Sequence, residues 1–506
     1  MRKSVIISFL TMGLVLFALP FGIGKINEGK ENVMIVQEVL SGNPDAAEGV
    51  SLKMASHWEG HLLWNTEYTI GVGEAESLFT FSSRAVEWER QECRSAKAGF
   101  LYSGFGTAMG DNDWIVDAEG LPYPEIIRAV AGRTKPGEMH EETVEIREYY
   151  EYYPISFELG GSSVEYLGDY NESLDYLTEL FRISTAGDCL RVEAEKSAKG
   201  DLSAVFGQET AGGEEIMIAQ ASAFGKEGCY YAFCCENMWT EKRADRGENS
   251  GIFYLPFEEA DGYIHVDLTR MRRVCALPEG MLPAGMLLEE ESGYLYLVAE
   301  GEEDWRLYTY ALDGENLLPV QELLVRQGKE TLQNAFFGEM SLEEKQYMDP
   351  EEEQHLYFRR ISRVEGGLLL TWNDNGFSFA AGEGGEHRLW CGGCFPYNHA
   401  AKPFSWENAC AFDGKRLVLA AFENWESMNI LLMVYEEGEE AYCGLYRYGG
   451  GGDVHPDGFK RGGILPQGHD YSWYPDNRYG WDMVLPGTDE ILRPLEVEIS
   501  FTKSIK

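Results

Sequence analysis

Four times between residues 228 and 425 a glycine opens a run of five to eight apolar or β-favouring residues, then a short polar turn, then an aromatic. The copies are GCYYAFCCENMW from Gly228 to Trp239, GYLYLVAEGEEDW from Gly293 to Trp305, GGLLLTWNDNGF from Gly366 to Phe377 and GKRLVLAAFENW from Gly414 to Trp425. Each aromatic arrives eleven or twelve residues after its glycine. Runs this short and this rich in Val, Ile, Leu, Tyr and Phe predict strands, and the polar turns between them predict hairpins.

A second strand follows each aromatic, as in WRLYTYAL and NILLMVYEE, and acidic-glycine turns such as LDGEN (312–316) and EEGEE (436–440) close it. The opening glycines are 65, 73 and 48 residues apart. The shortest interval fits a four-stranded unit of about 40–50 residues, and the longer two require insertions. TEKRADRGENSG (240–251) and EMSLEEKQYMDPEEEQ (339–354) have the composition of such insertions, and the second carries a Ser341-x-x-Glu344 capping box that predicts a short surface helix. The N-terminal half repeats less clearly. There NESLDYLTELFRI (171–183) fits either a helix or a loop, and TVEIREYYEYYPISFEL (143–159) reads as long strands bent or ended by Pro154. The final run LEVEISF (495–501) is a strand expected to pair with an early one such as NVMIVQEVL (32–40), which would remove two open sheet edges.

This pattern resembles the β-propeller superfamily, well over residues 215–448 and loosely before them. The Gly-His and Trp-Asp signatures of WD40 blades are absent. The fold expected is all-β: a single β-propeller of six to eight four-stranded antiparallel blades. WNDNGFSF (372–379) is similar to the Asp-box hairpin of sialidase-type propellers, with Asp374, Gly376, Ser378 and Phe379 in its Asp, Gly, Thr and Trp places and Trp372 where that motif has Ser. Asp boxes are turn structures, so the likeness implies no catalytic residue.

The chain begins Met1-Arg2-Lys3 and carries no charge from Val5 to Ile23. A basic head before an apolar stretch predicts an exported protein, with residues 1–24 an apolar helix serving as signal peptide or membrane anchor and residues 25–506 the ectodomain. FALPFGIGK lacks the second small residue of a usual cleavage site, which favours the anchor. The net charge of −43 argues against nucleic acid and against an anionic membrane surface as ligands, so membrane contact is expected only through the N-terminal segment.

Candidate chemistry is sparse. HRLWCGGCFPYNH places His387, Cys391, Cys394 and His399 close in sequence, a weak candidate for zinc, with a Cys391–Cys394 disulfide, a redox pair or inert thiols as the alternatives. HWEGH (57–61) has the spacing of two zinc ligands but not the adjacent Glu, and DNDW (111–114) lacks the glycine of a calcium loop. No nucleophile elbow, P-loop or dinucleotide fingerprint is present, and no cofactor is implied. The repeated aromatics are expected to pack between blades. The repeat that departs from the pattern supplies the ligand-binding candidates Trp372, Asn373 and Asp374, joined by Asn424 and Trp425 in an equivalent turn. The function expected is non-enzymatic binding of a protein, peptide or glycan outside the membrane; the alternative is a glycan-active hydrolase or lyase on the same scaffold.

Overall fold

The computed structural model describes residues 33–58, 62–73, 75–81, 94–101, 105–110, 123–160, 163–209, 216–237, 248–314, 316–328, 356–373, 376–394, 409–422, 430–450 and 496–502. The apolar N-terminal segment, the 339–354 insertion and the calcium-like turn at 111–114 lie outside them. Among the described residues no helix is long and apolar enough to cross a membrane.

The described chain is all-β and almost entirely antiparallel. Its first half contains β1 (Val33–Gly42), β2 (Val50–Trp58), β3 (Leu62–Thr69), β4 (Glu76–Phe81), β5 (Ser95–Phe100), β6 (Phe105–Gly110), α1 (Pro124–Arg133), β7 (Met139–Glu145), β8 (Ile155–Gly160), β9 (Ser163–Tyr166), α2 (Tyr170–Phe181), β10 (Cys189–Lys196) and β11 (Leu202–Glu209). Next come β12 (Ile216–Phe224), β13 (Gly228–Asn237), β14 (Gly251–Ala260), β15 (Tyr263–Val266), β16 (Arg272–Ala276), β17 (Leu282–Glu289), β18 (Tyr294–Glu300), β19 (Asp304–Asp313) and β20 (Asn316–Gln327). The rest are β21 (Phe358–Val364), β22 (Gly367–Trp372), β23 (Gly376–Glu383), β24 (Glu386–Cys394), β25 (Cys410–Phe412), β26 (Arg416–Phe422), β27 (Ile430–Glu436), β28 (Glu439–Gly450) and β29 (Glu496–Phe501).

Each glycine-led repeat becomes a hairpin inside one sheet. Strands β17 to β20 form one four-stranded sheet in chain order, and β21 to β24 form the next. The turns behave as their residues require: Asp261-Gly262 and Glu437-Gly438 both carry positive φ at two successive positions, the geometry of a tight hairpin that matches strand twist.

Consecutive sheets stack face to face. Strand β12 packs beside β17, β17 beside β21, β21 beside β25 and β25 beside β29. The central strands therefore bury both faces. In β18, Leu295 and Leu297 join the core shared with β12–β14, whereas Tyr296 and Val298 join the core shared with β21–β23. In β26, Leu417 and Leu419 face one neighbour and Val418 and Ala420 the other. This propeller-like stacking explains why the repeats read as continuous apolar runs rather than alternating ones.

The chain ends cross over. Strand β29 heads the sheet β29-β2-β3-β4, and β1 adds to β28 as a fifth strand of the sheet β1-β28-β27-β26-β25. The last strand does pair with an early one, but its partner is β2 and not the 32–40 run. The apolar faces decide it: Val497 and Ile499 share a core with Val50, Leu52 and Met54 of β2. Arg416 fastens this junction, donating to the carbonyls of Ala46 (3.2 Å) and Glu48 (3.1 Å) while its guanidinium stands 4.8 Å from the ring centroid of Phe501.

The N-terminal half is less regular. The 171–183 run is a helix, α2, capped by the Asp169 carboxylate accepting from the Asn171 and Glu172 amides. Its buried Leu177 and Phe181 pack on the first core, where Phe181 lies 4.5 Å from Phe233. The 143–159 run breaks at a 3-10 turn (Ile146–Glu148), and β8 starts directly after Pro154. Cys229 and Cys235 are buried in the same core as small hydrophobes.

Two outcomes test this stacking. Strand β17 has a bulge near Gly285, where an added Cβ would sit 2.2 Å from Phe358 Cε1 in the neighbouring sheet. Gly285→Ala should therefore lower stability by about 1–3 kcal/mol in chemical denaturation, and an unchanged midpoint would show that these sheets do not meet there. Ile499→Ala, in the closing strand, should cost roughly 2–5 kcal/mol if β29 is integral to the core, and a negligible effect would show it is not.

Candidate functional site

Strand β19 alternates in the sequence DWRLYT. Trp305, Leu307 and Thr309 point into the buried seam with the next sheet, so Asp304, Arg306 and Tyr308 point to the opposite side. On that side Tyr308 stands directly across from Glu322 of β20. Two turns flank these residues. One, at 278–281, turns on Gly280 at φ +71; the other, at 301–304, is closed by the Gly301 amide donating to the Asp304 carbonyl at 2.7 Å. Together they enclose a cleft of about 560 Å³ lined by Glu279, Glu302, Glu303, Asp304, Arg306, Tyr308 and Glu322 with the turn residues 278, 280, 281 and 301.

The lining holds five carboxylates and one guanidinium. Arg306 forks between two of the acids: Nη2 and Nε donate to Asp304 Oδ2 at 2.8 and 3.1 Å, and Nη1 donates to Glu322. The Asp304 hydrogen bond, and after it that of Glu322, raises the Arg306 pKa above its ordinary value, so the guanidinium is a fixed charge. Burial, reinforced by the Glu322 carboxylate, pushes the Tyr308 phenol up to about 12, which leaves it a neutral donor. Glu279, Glu302 and Glu303 have no such cation among the described residues of the lining. The arrangement is a concave, net-negative surface with a neutral phenol at its base, suited to holding a cation or a basic side chain.

The residues singled out by sequence are placed differently. Trp372 is fully buried in the seam, with Phe358 at 5.7 Å, Trp305 at 6.1 Å and the Arg326 guanidinium 5.1 Å from its ring centroid. Its ring faces are covered by protein, which corrects the expectation of an exposed stacking platform. The reason is two-sided burial of β22, which leaves no solvent face for its last residue. Asn373 is a turn-former: its Oδ1 accepts from the Tyr357 amide at 2.9 Å, and its own amide donates to the Tyr357 carbonyl at 3.1 Å. Asp374, Asn424 and Trp425 lie outside the described residues, as does Trp239. Of the other repeat aromatics, Trp305 and Phe377 are buried between sheets.

In the cysteine-histidine cluster the described residues favour the inert-thiol alternative. Residues 391 to 394 run as extended β24, Cys391 opposite Phe379 and Cys394 opposite Gly376. Three residues of strand separate Cα atoms by roughly 10 Å, beyond the roughly 7 Å that a disulfide can bridge. Burial pushes the Cys391 thiol up to about 12, the opposite of a reactive thiolate. Among the described residues no three potential metal ligands converge, and His399 lies outside them. His387 is buried in a seam between sheets instead. At HWEGH, His57 is on β2 and not on the helix that a zinc-protease pair requires; His61 is outside the described residues.

Hairpin patterning alone does not reveal the cleft, because EGEED reads as one more polar turn between strands. The available signal was the spacing of Asp304, Arg306 and Tyr308 at every second position, followed one strand later by Glu322.

No family model matches the sequence, and no curated protein does. Solved structures with similar chains include a protein from Lactobacillus plantarum at 11% identity and TM-score 0.25, where the match covers 53% of this chain and 64% of that one, less than two thirds of its length. Another is one of a pair of prolyl endopeptidases at 10% identity and TM-score 0.23, covering 79% of this chain and 42% of that one. A third is a candidate 6-phosphogluconolactonase from Bacteroides uniformis at 11% identity and TM-score 0.25, covering 78% of this chain and 99% of that one. No residue role is carried across from any of them.

Proposed function

We propose that the chain is an extracytoplasmic β-propeller of six to eight blades, tethered or secreted through its N-terminal segment, that works as a non-enzymatic binding module. Its ligand is a basic segment of a protein or peptide, held in the cleft between the 278–281 and 301–304 turns. The observation that carries this reading is the surplus of carboxylates in that cleft, five against a single guanidinium already shared between Asp304 and Glu322. Asp304, Arg306 and Tyr308 sit on a strand whose other face is locked into a core, which gives the site a rigid backing.

The hydrolase alternative needs one carboxyl group positioned as a proton donor opposite a second that is free to act as base or nucleophile. Asp304 and Glu322 both accept from the same guanidinium, so neither is placed for that work, and binding is the better use of the geometry.

Oligolysine offered to the full chain should bind in fluorescence anisotropy, with affinity falling as salt rises. Glu302→Gln and Glu303→Gln should each weaken it by about two- to fivefold, the scale of one exposed ion pair. Glu193→Gln, on the distant β10, should leave it unchanged. Equal affinity in all three variants would remove the cleft from the reading. Separately, fractionation of cells producing the full chain should place it in the envelope or medium; recovery wholly in the cytosol would overturn the export proposal.

A further inference from the structure

In the seam between the β17–β20 sheet and the β21–β24 sheet, four polar side chains meet at one place. Tyr296, Thr309 and Gln321 stand opposite one another across β18, β19 and β20, forming a row over one face of the sheet. His387 of β24 closes on that row. The Gln321 amide group grips its backbone from both sides, Nε2 donating to the His387 carbonyl at 2.6 Å and Oε1 accepting from the His387 amide at 2.7 Å. Its ring meets Tyr296 edge to face, with centroids 5.4 Å apart. Thr309 lies between these two anchors.

His387 is 4% exposed and Thr309 1% exposed. Among the described residues, both imidazole nitrogens and the Thr309 hydroxyl lack a hydrogen-bond partner. A buried polar group without a partner is destabilising, and burial disfavours the charged form of an imidazole. A proton added to the ring while the seam is closed is a further, uncompensated cost.

We propose that His387 is a proton-operated latch: neutral, it holds β24 against β20, and protonated, it loosens that seam and with it the acidic cleft. The second half of this statement rests on the proposed binding function. The link is one peptide bond long, because Gln321 grips the latch while Glu322, the next residue, lines the cleft.

The charged and titratable groups around the ring agree with the direction. Burial lowers the His387 pKa from its ordinary 6.5, and the Arg363 guanidinium of β21 lowers it further; Glu289 of β17 opposes them. Glu289 is itself committed, to Arg363 Nε at 3.0 Å and to the Tyr296 hydroxyl at 3.1 Å, so it is not free to neutralise an imidazolium. Gln321 and Thr309 contribute no charge from β20 and β19, and on β24 itself Glu386 and Arg388 flank the histidine with opposite signs. A folded pKa below the opened-state value means that the open seam binds more protons. Stability from this group is therefore complete above about pH 6.5 and is lost as pH falls from there toward the depressed folded value.

Hydrogen exchange of the full chain, corrected for intrinsic rates, reads the latch directly. Between about pH 7.5 and about pH 5.5 the amides of β20 and β24 should lose protection relative to those of β26 and β27, by up to about tenfold per pH unit. His387→Gln and His387→Leu should abolish that difference. The latch is overturned if the wild-type chain shows no differential loss, a comparison that needs no variant, or if either variant keeps the full wild-type difference. Oligolysine affinity over the same range reads the coupling: acid should weaken binding more in the wild-type chain than in His387→Gln, and parallel profiles would refute the coupling. Absence of oligolysine binding at every pH would refute the cleft, while the exchange comparison would still decide the latch.

Discussion

Burial of both faces of the central strands is the constraint from which the rest of the structure follows. A sheet covered on one side can alternate apolar and polar residues, but β18, β22 and β26 cannot, because each successive residue belongs to a different core. Polar side chains within a seam must then find partners inside it. Ser378 does so by donating to the Val325 carbonyl of the adjoining sheet at 2.6 Å, and Gln321 does so on the His387 backbone. Among the described residues Thr309 and the His387 ring find none, and neither do the indole nitrogens of Trp305 and Trp372 in the same seam. Charged side chains gather instead at the turns and along β19 and β20, where they line the cleft.

That constraint also decides what could be read in advance. Glycine-led apolar runs with a fixed aromatic interval report local structure, so the hairpins and the all-β antiparallel class were legible in the sequence. Turn chemistry was legible too, as the paired positive φ angles at Glu437 and Gly438 illustrate. Pairing between distant segments was not. Nothing local in LEVEISF distinguishes β1 from β2 as its partner; the choice depends on which face meets Val418, Ala420 and Leu432.

The same constraint decides where Trp372, Cys391 and Cys394 sit. Trp372 departs from the repeat, and an extra tryptophan at a turn suggests a binding platform only if its strand has an open face. Its strand has none. Cys391 and Cys394 suggest a turn because two glycines separate them, yet the ladder with β23 keeps that stretch extended. In the cleft, Asp304 and Arg306 were visible as a charged pair two residues apart, but their meaning depends on Glu322 arriving opposite Tyr308, and the register shift between Thr309 and Tyr310 sets that alignment. Sequence spacing across an irregular hairpin does not specify it.

Strand β19 joins the buried seam to the cleft. Its odd-numbered residues from Trp305 to Thr309 are buried in the seam, and the even-numbered Arg306 and Tyr308 line the cleft. A displacement of the strand cannot alter one face alone, since alternate side chains share one backbone. The same holds for Gln321 and Glu322 on β20. A protein with separate elements for packing and recognition could let its seam relax without moving a ligand, but in this sheet the packing contacts are the supports of the site. Arg306 adds a further limit: it already occupies Asp304 and Glu322, so an incoming cation meets those acids only by displacing or sharing an internal one. Under the proposed binding role, first contact therefore falls to the carboxylates beyond its reach, Glu279, Glu302 and Glu303.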